Sequence, residues 1–225
     1  MNVNDKRYDN QGIHTVLALF TVDDGKFKVL LIRRKNEPYK GKWILVGGCA
    51  YNDEFAEEAM IRELYEKTRI KNVDFEMFGV FSDPKRSPLK RMLAIGYMGV
   101  ADRNIIEKFS QTKKVSEADW FSIDRIPELG YDHREILEQA ITCLKQKIFT
   151  TNIIKKIFPK TFTLPELQQA YETIMEKSLD RRNFRKKLLK DGIIVETNEV
   201  IKKEKTKTCK LYMFSDKNTD INFYK

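Results

Sequence analysis

A turn followed by a carboxylate-rich helix, GGCAYNDEFAEEAMIRELYEKTRI over residues 47–70, constrains the fold of this chain most strongly. Glu63 and Glu66 are three positions apart, so a helix places both carboxylates on one face, one turn from each other. Glu54 opens the helical pattern and Arg62 directly precedes Glu63, which gives the spacing G-x5-E-x7-R-E-L-x-E. The pattern therefore predicts a cluster of carboxylates on one face of a helix.

This spacing resembles the signature of the Nudix hydrolases, and GKWILVGG over residues 41–48 resembles the G-x-W-x-L-P-G-G segment of that family. Both segments match at the expected separation. The resemblance implies an α/β fold in which a sheet and helices form an α/β/α sandwich. It also implies an active helix that ends R-E-x-x-E-E-x-G, whose glutamates hold a divalent metal against a diphosphate.

Three residues depart from the Nudix pattern, and the first is Val46, which stands in place of the proline. Lys67 stands in place of the last glutamate, and its ammonium would repel a divalent cation and pair with the remaining carboxylates. Arg69 stands in place of the glycine that would provide a left-handed helix end, which costs about 1 kcal/mol. We therefore expect no catalytic residue, no metal and no cofactor. The remaining members of the pattern are expected to form a remnant Nudix box that braces loop against helix: Glu54, Arg62, Glu63 and Glu66.

Length and charge predict two domains. A chain of 225 residues is long enough for two domains, and 41% hydrophobic residues are enough to form a hydrophobic core. The formal net charge is +9, and residues 151–225 alone contain 17 lysines and arginines against 10 aspartates and glutamates. We predict a domain over residues 8–148 and a basic domain over 151–225, whose charge indicates a polyanionic partner. A lysine-rich surface that serves only solubility is the alternative.

Cysteine usage and hydropathy predict a cytoplasmic protein. The three cysteines are far apart in the sequence and odd in number, which fits neither a disulfide framework nor a zinc site. The first residues, MNVNDKRYDNQG, lack the apolar core of a signal peptide, and the chain has no run of 18 apolar residues. We therefore expect no membrane association.

The first domain is expected to contain a β-hairpin, further strands and a closing helix. Asp24 and Gly25 form the hairpin turn, and a helix capped by Asp132 covers residues 132–147. His14 in the first strand and His133 in the first helical turn are expected to pack or cap rather than to bind a ligand. Strands are predicted at 13–22, 27–32, 75–81, 91–100 and 118–123.

An effector pocket follows from the Nudix resemblance. In that family a basic residue at the end of the second strand lies near the ligand, and the loop that here covers residues 82–90 overhangs the pocket. This loop contains two prolines, three basic residues and an aspartate. A solvated strand end and a solvated loop are the alternatives. The predicted effector-binding residues are Arg34, Asp83, Lys85 and Arg86.

The second domain is expected to begin with a short helix over residues 151–158. Thr163 and Glu166 form a capping box that begins the next helix, which runs to about Met175. Asp180 then caps a third helix that ends at Gly192. A helix, a turn and a second helix with a basic outer face suit the major groove of DNA.

Cationic and amide side chains cover the outer face of the third helix, where they suit phosphates and base edges. Arg181 and Arg185 are expected to point to the packed side. The hairpin that follows the helix contains further lysines and is predicted to be a wing that contacts the DNA backbone. A hairpin tip that is only solvated is the alternative. The predicted DNA-binding residues are Arg182, Asn183, Lys186, Lys187 and Lys190 on the helix, with Lys203, Lys205 and Lys207 on the wing.

The two domains together resemble the Nudix-related transcriptional regulators of bacteria. The segments FTLPEL at 162–167 and DRRNFR at 180–185 resemble the DNA-binding module of that family closely. The resemblance implies a dimeric repressor that binds a double-stranded DNA operator and whose Nudix domain senses a small molecule. ADP-ribose and a pentose such as arabinose are both possible effectors. An active metal-dependent Nudix hydrolase of a nucleoside diphosphate derivative is the alternative function.

Overall fold

The computed structural model describes Lys6 and residues 11–105, 111–151, 153–204 and 207–215, without the side chains at 203, 204 and 207. These residues form two compact units. The first contains the described residues up to Phe20, Lys28–Gly99 and, where described, Asn104–Thr142. The second contains Thr21–Phe27, Val100–Arg103 and the described residues from Cys143 onward. The domain limits 8–148 and 151–225 stay a prediction.

Seven strands form one sheet in the order β3-β2-β1-β6-β5, in which β4 also pairs with β1 and β7 with β2. The five predicted strands are present, and the two short strands β3 and β4 are additional. The bounds are β1 Gly12–Asp23, β2 Lys26–Arg34, β3 Trp43–Ile44, β4 Val46–Cys49, β5 Phe75–Phe81, β6 Met92–Val100 and β7 Val115–Ser122.

The central position of β1 follows from its sequence. Val16 to Phe20 form a continuous apolar run that is completely buried, as expected for a strand covered on both faces. Asp24 and Gly25 both have positive φ angles, 49° and 66°, which is the geometry of the predicted two-residue hairpin turn. The strand thus places the residues at its start, including His14, in the middle of the sheet.

Two helices accompany the sheet, α1 (Ala56–Thr68) and α2 (His133–Lys147). Glu58 accepts a hydrogen bond from the backbone N–H of Phe55 at 2.8 Å and closes the start of α1. Arg69 ends α1 in the left-handed conformation with a φ of 65°, so it adopts the backbone geometry that glycine favours. Between these ends, α1 buries both apolar and charged side chains, including Glu63 and Lys67.

The second unit contains the helices α3 (Leu164–Met175) and α4 (Arg181–Lys190) and the hairpin of β8 (Ile194–Glu204) and β9 (Lys207–Phe214). A 3₁₀ helix over Ile153–Ile157 replaces the helix predicted at 151–158. The predicted caps are correct, because Thr163 and Glu166 form a reciprocal capping box and Asp180 accepts the N–H of Asn183. No helix among the described residues is long and apolar enough to cross a membrane.

The capping box of α3 gives a prediction for stability. Thr163 is completely buried, and its hydroxyl accepts the N–H of Glu166 while the Glu166 carboxylate accepts the N–H of Thr163. We expect Thr163→Ala to lower the free energy of unfolding by about 1 kcal/mol, since one helix-terminal donor loses its acceptor. Urea denaturation measures the change. Thr142→Ala, on the exposed side of α2, is the control, and equal losses in both variants would contradict the cap.

Candidate functional site

An ammonium and a carboxylate are buried together on α1, next to β4. Glu63 is 3% exposed, and its carboxylate lies 2.8 Å from the Arg62 guanidinium and 3.0 Å from Lys67 Nζ. Lys67 Nζ also donates a hydrogen bond to the carbonyl oxygen of Gly47. A Cβ atom at Gly48 would collide with the Glu63 carboxylate, so the absence of a side chain there makes room for this group. The Lys67 ammonium thus lies among oxygen acceptors.

Arg62 links the loop before α1 to the helix. Its guanidinium donates to both carboxylate oxygens of Glu54, at 2.9 and 2.6 Å, and to the carbonyl of Cys49 at 3.0 Å. It also lies 4.0 Å from the centre of the Tyr51 ring. A bidentate ion pair of this kind is both directional and charge-assisted, so it holds the loop against α1.

Electrostatics in this cluster follows from burial and close charges. The hydrogen bond from Arg62 lowers the pKa of Glu54. Burial raises the pKa of Glu63, but the attraction of Lys67 and the hydrogen bond from Arg62 outweigh it, and the net pKa is lowered. Burial lowers the pKa of Lys67, and the neighbouring Glu63 carboxylate offsets part of that effect. The positive and negative charges within the cluster therefore stabilise one another.

These residues do not fit the divalent metal of the Nudix hydrolases. The Glu63 carboxylate contacts Arg62 and Lys67, and the Glu66 carboxylate lies 3.3 Å from Lys114 Nζ. Within the part of the chain that the structure describes, no three His, Cys, Asp or Glu residues form a group suited to a metal ion. Mg²⁺ prefers several oxygen ligands, and an ammonium among those oxygens opposes it.

A cavity of about 410 Å³ opens beside this cluster in the first unit. Four basic residues contribute to its lining, namely Arg34, Lys67, Arg86 and Lys90, whereas Glu37 is the one acidic residue that lines it among those described. Apolar and aromatic side chains, among them Tyr131, complete the walls. The excess of positive charge suits a negatively charged ligand of moderate size.

Two of the four predicted effector-binding residues line this cavity. Arg34 donates to the carbonyl of Pro38 at 2.8 Å. Arg86 is buried and makes a bidentate ion pair with Asp132, with both distances at 2.8 Å. Asp83 and Lys85 lie instead in an exposed turn, in which Asp83 Oδ1 accepts the N–H of Lys85 at 2.7 Å. The role of all four in binding an effector stays a prediction.

Both histidines of the chain line the cavity, which the sequence did not indicate. His133 is completely buried, and its Nδ1 accepts the backbone N–H of Leu45 at 3.0 Å. Burial lowers the pKa of His133 to about 3, and burial together with the neighbouring His133 lowers the pKa of His14 as well. Leu45 is 88 residues away from His133 in sequence, so no local sequence pattern could have predicted this contact.

In the second unit, α4 separates apolar from basic side chains. Phe184 and Leu188 are buried, as is Tyr171 of α3, whose ring centre lies 5.3 Å from that of Phe184. Lys187 is partly buried and lies 3.4 Å from the Asp191 carboxylate. The remaining predicted DNA-binding residues of α4 are exposed: Arg182, Asn183, Lys186 and Lys190. The outer face is therefore positively charged.

The turn between α3 and α4 is fixed by hydrogen bonds. Glu172 Oε1 accepts the N–H of Leu179 at 2.8 Å and the side-chain amide of Gln168 at 2.9 Å. Gln168 also donates to the carbonyl of Leu179 at 2.9 Å. These bonds hold the start of α4 in place relative to α3.

Arg181 and Arg185 lie on the side of α4 that faces α3 and β9. Both are exposed to solvent, and both line a cavity together with Phe184 and with residues of α3 and β9. Of the predicted wing lysines, Lys205 lies outside the described residues, as do the side chains of Lys203 and Lys207.

Comparison with known proteins identifies two domain families in the chain. Residues 13–140 match the NUDIX domain family, and residues 154–214 match the NrtR DNA-binding winged helix domain. The chain is 30% identical over 211 residues to the ADPR responsive transcriptional repressor NtrR of Acinetobacter baylyi, a match that covers 92% of this chain and 83% of the repressor.

Solved structures agree with this assignment. Shewanella oneidensis NrtR complexed with a 27mer DNA has a TM-score of 0.78 and 27% identity, covering 90% of this chain and 93% of that chain. The NUDIX domain of the same protein complexed with ADP ribose has a TM-score of 0.53 and 27% identity, covering 64% and 94%. The predicted fold class and regulator class are confirmed. The chain belongs to the family of transcriptional regulators that join a Nudix domain to an NrtR-type winged helix domain.

Proposed function

We propose that this chain is a repressor that binds operator DNA through its winged helix and releases it when the Nudix cavity binds an ADP-ribose-type nucleotide. The observation that carries this proposal is the basic lining of the cavity, with Arg34, Lys67, Arg86 and Lys90. Lys67 and Arg86 are already paired with Glu63 and Asp132, so the charges of Arg34 and Lys90 are those that a diphosphate matches and a neutral pentose does not. The names of the Acinetobacter and Shewanella relatives support the same effector.

The nucleotide is bound and not hydrolysed. Hydrolysis in a Nudix site needs a metal among carboxylates, and here Lys67 lies 3.0 Å from Glu63 with its ammonium against the Gly47 carbonyl. Retained hydrolase activity is the alternative. Turnover of ADP-ribose with Mg²⁺ or Mn²⁺, well above that of a Glu63→Gln and Glu66→Gln double variant, would establish it. We expect the two rates to be equal, while calorimetry detects ADP-ribose binding to the wild-type chain.

The exposed residues of α4 are assigned roles by their chemistry. The side chains of Arg182 and Asn183 can form hydrogen bonds with base edges. Both residues lie in the first turn of α4, and it is the N-terminal part of a recognition helix that contacts bases. Lys186 and Lys190, exposed one and two turns further on, suit phosphates. Lys187 is a weaker candidate because Asp191 neutralises part of its charge.

Alanine variants of α4 give distinct results for the two roles. Arg182→Ala and Asn183→Ala are each expected to cost about 1–3 kcal/mol on the specific operator and to relax the preference at one base pair. Lys186→Ala is the matched control, since loss of a phosphate contact weakens all sequences alike and lowers the salt slope by about one. Fluorescence anisotropy on operator and scrambled duplexes measures both. An unchanged sequence preference in the first two variants would contradict the assignment.

We further propose that the repressor acts as a homodimer in the cytoplasm. One winged helix makes few base contacts, and competition from genomic DNA demands two half-sites, which a two-fold dimer reads about one helical turn apart. Effector and operator then compete with a coupling of about 1–3 kcal/mol, and operator DNA must weaken effector binding by the same factor. Calorimetry with and without saturating operator tests the coupling, and sedimentation tests the dimer. A monomer at micromolar concentration would contradict the two-fold arrangement.

A further inference from the structure

Two residues that line the cavity each have a buried nitrogen atom without a hydrogen-bond partner. His133 Nε2 and His14 Nδ1 are buried and have no hydrogen-bond partner among the described residues. Both side chains line the cavity. A buried polar group without a partner costs about 1–3 kcal/mol, so a ligand that supplies the missing bonds gains that free energy on binding. The unpartnered nitrogen atoms therefore distinguish His14 and His133 from the other residues of the cavity wall.

The hydrogen-bonding capacity of His133 is determined by the backbone. Its Nδ1 accepts the N–H of Leu45 at 3.0 Å, so Nδ1 carries no proton and the proton of the neutral ring is on Nε2. Nε2 is therefore a donor. The ring is also held in place by its neighbours, because the ring centres of Tyr131 and His14 lie 5.4 and 6.1 Å away with interplanar angles of 29° and 26°.

The two imidazoles differ in charge from the other polar groups of the cavity. Burial lowers the pKa of both rings, so they are neutral where Arg34, Lys67, Arg86 and Lys90 are cationic. Cations suit the phosphates of a nucleotide. A neutral donor beside a second neutral nitrogen suits groups that both donate and accept hydrogen bonds, and the hydroxyls of a sugar are such groups.

We propose that His14 and His133 bind the hydroxyls of a pentose unit of the effector, which in ADP-ribose is the terminal ribose. The proposal rests on the proposed function for the identity of the nucleotide, but the pentose itself is common to ADP-ribose and to a free sugar effector. The histidines then determine specificity between effectors, and the basic residues supply charge attraction.

The test compares ligands with and without the pentose. ADP carries the same adenosine diphosphate but lacks the terminal ribose, so the ratio of the two dissociation constants isolates that group. His133→Asn is the informative variant, because the amide oxygen takes the place of Nδ1 as acceptor for Leu45 while the Nε2 donor is lost. We expect this variant to weaken ADP-ribose about tenfold, as one hydrogen bond is lost, and to leave ADP unchanged.

Two further variants complete the comparison of ADP-ribose with ADP. His14→Phe keeps an aromatic ring but removes both nitrogens. We expect this variant to lower the ratio of the dissociation constant of ADP to that of ADP-ribose. Lys90→Gln removes a charge from the lining and is expected to weaken ADP and ADP-ribose alike. If His133→Asn and His14→Phe weaken both ligands equally, or neither, the histidines do not contact the pentose and the proposal is overturned.

The remaining outcomes separate this proposal from the proposed function. Ribose 5-phosphate, ribose and arabinose are titrated as further probes. If a free pentose binds and loses affinity in His133→Asn, whereas ADP-ribose does not bind, the histidine assignment stands and the nucleotide assignment fails. If none of the five probes binds the wild-type chain, both fail. Binding of ADP-ribose with an unchanged ratio in the variants overturns the histidine assignment alone.

Discussion

Replacing Lys67 with glutamate is expected to make the stability of the first unit depend on a divalent cation. The change removes the ammonium that lies 3.0 Å from the Glu63 carboxylate and adds a negative charge beside it, in a place where both side chains are buried. Breaking a buried ion pair by removing one partner costs about 3–5 kcal/mol. A divalent cation among the carboxylates and the Gly47 carbonyl would restore about 2.7 kcal/mol at a hundredfold excess over its dissociation constant.

Thermal unfolding of Lys67→Glu with and without Mn²⁺ measures this effect. Lys40→Glu is the matched control, since it makes the same change of charge at an exposed position. The wild-type chain and this control are expected to unfold at the same temperature with the metal or with a chelator. A midpoint of Lys67→Glu that Mn²⁺ leaves unmoved would show that the cluster is not a former cation site.

The second large effect is loss of stability on mild acidification. His133 has a pKa of about 3 in the folded chain and an ordinary value of 6.5, so below pH 6.5 the unfolded chain binds a proton that the folded chain does not. The stabilisation is complete above pH 6.5 and is lost as the pH falls toward 3. At about pH 5 the loss from His133 is about 2 kcal/mol, and His14, whose pKa is also lowered, adds to it.

The pH window separates the histidines from the carboxylates. The pKa values of Glu54 and Glu63 are lowered from 4.5, so their stabilisation is lost only as the pH falls below 4.5. Urea denaturation between about pH 7 and pH 5 therefore reports the imidazoles. His133→Asn should have the shallower pH dependence. A wild-type chain whose free energy of unfolding is constant over this window would contradict the burial of two neutral histidines.

Local patterns in the sequence predicted most of the elements and the chemistry of α1. The caps at Thr163 and Asp180 were predicted correctly, because a capping bond joins residues three apart. The pairing of Lys67 with Glu63 was predictable for the same reason, as both lie on one face of one helix, four residues apart. Chemistry carried by a single element can be read from its own spacing.

Contacts between distant segments could not be predicted. Arg86 and Asp132 are 46 residues apart, and their ion pair decides that Arg86 points inward while Lys85, its neighbour, stays in an exposed turn. The histidines lie on different elements, and their shared cavity follows only from the way strand and helix meet. The cavity that Arg181 and Arg185 line with residues of β9 likewise joins segments far apart in the sequence.

The two glycines of β4 have a consequence for reading genomes. A Cβ atom at Gly47 would collide with the backbone of β1, and one at Gly48 with the Glu63 carboxylate. Packing within the folded chain thus restricts both positions to glycine, whether a bound nucleotide is hydrolysed or only bound. A signature search that weights this pair of glycines counts sensors and hydrolases together.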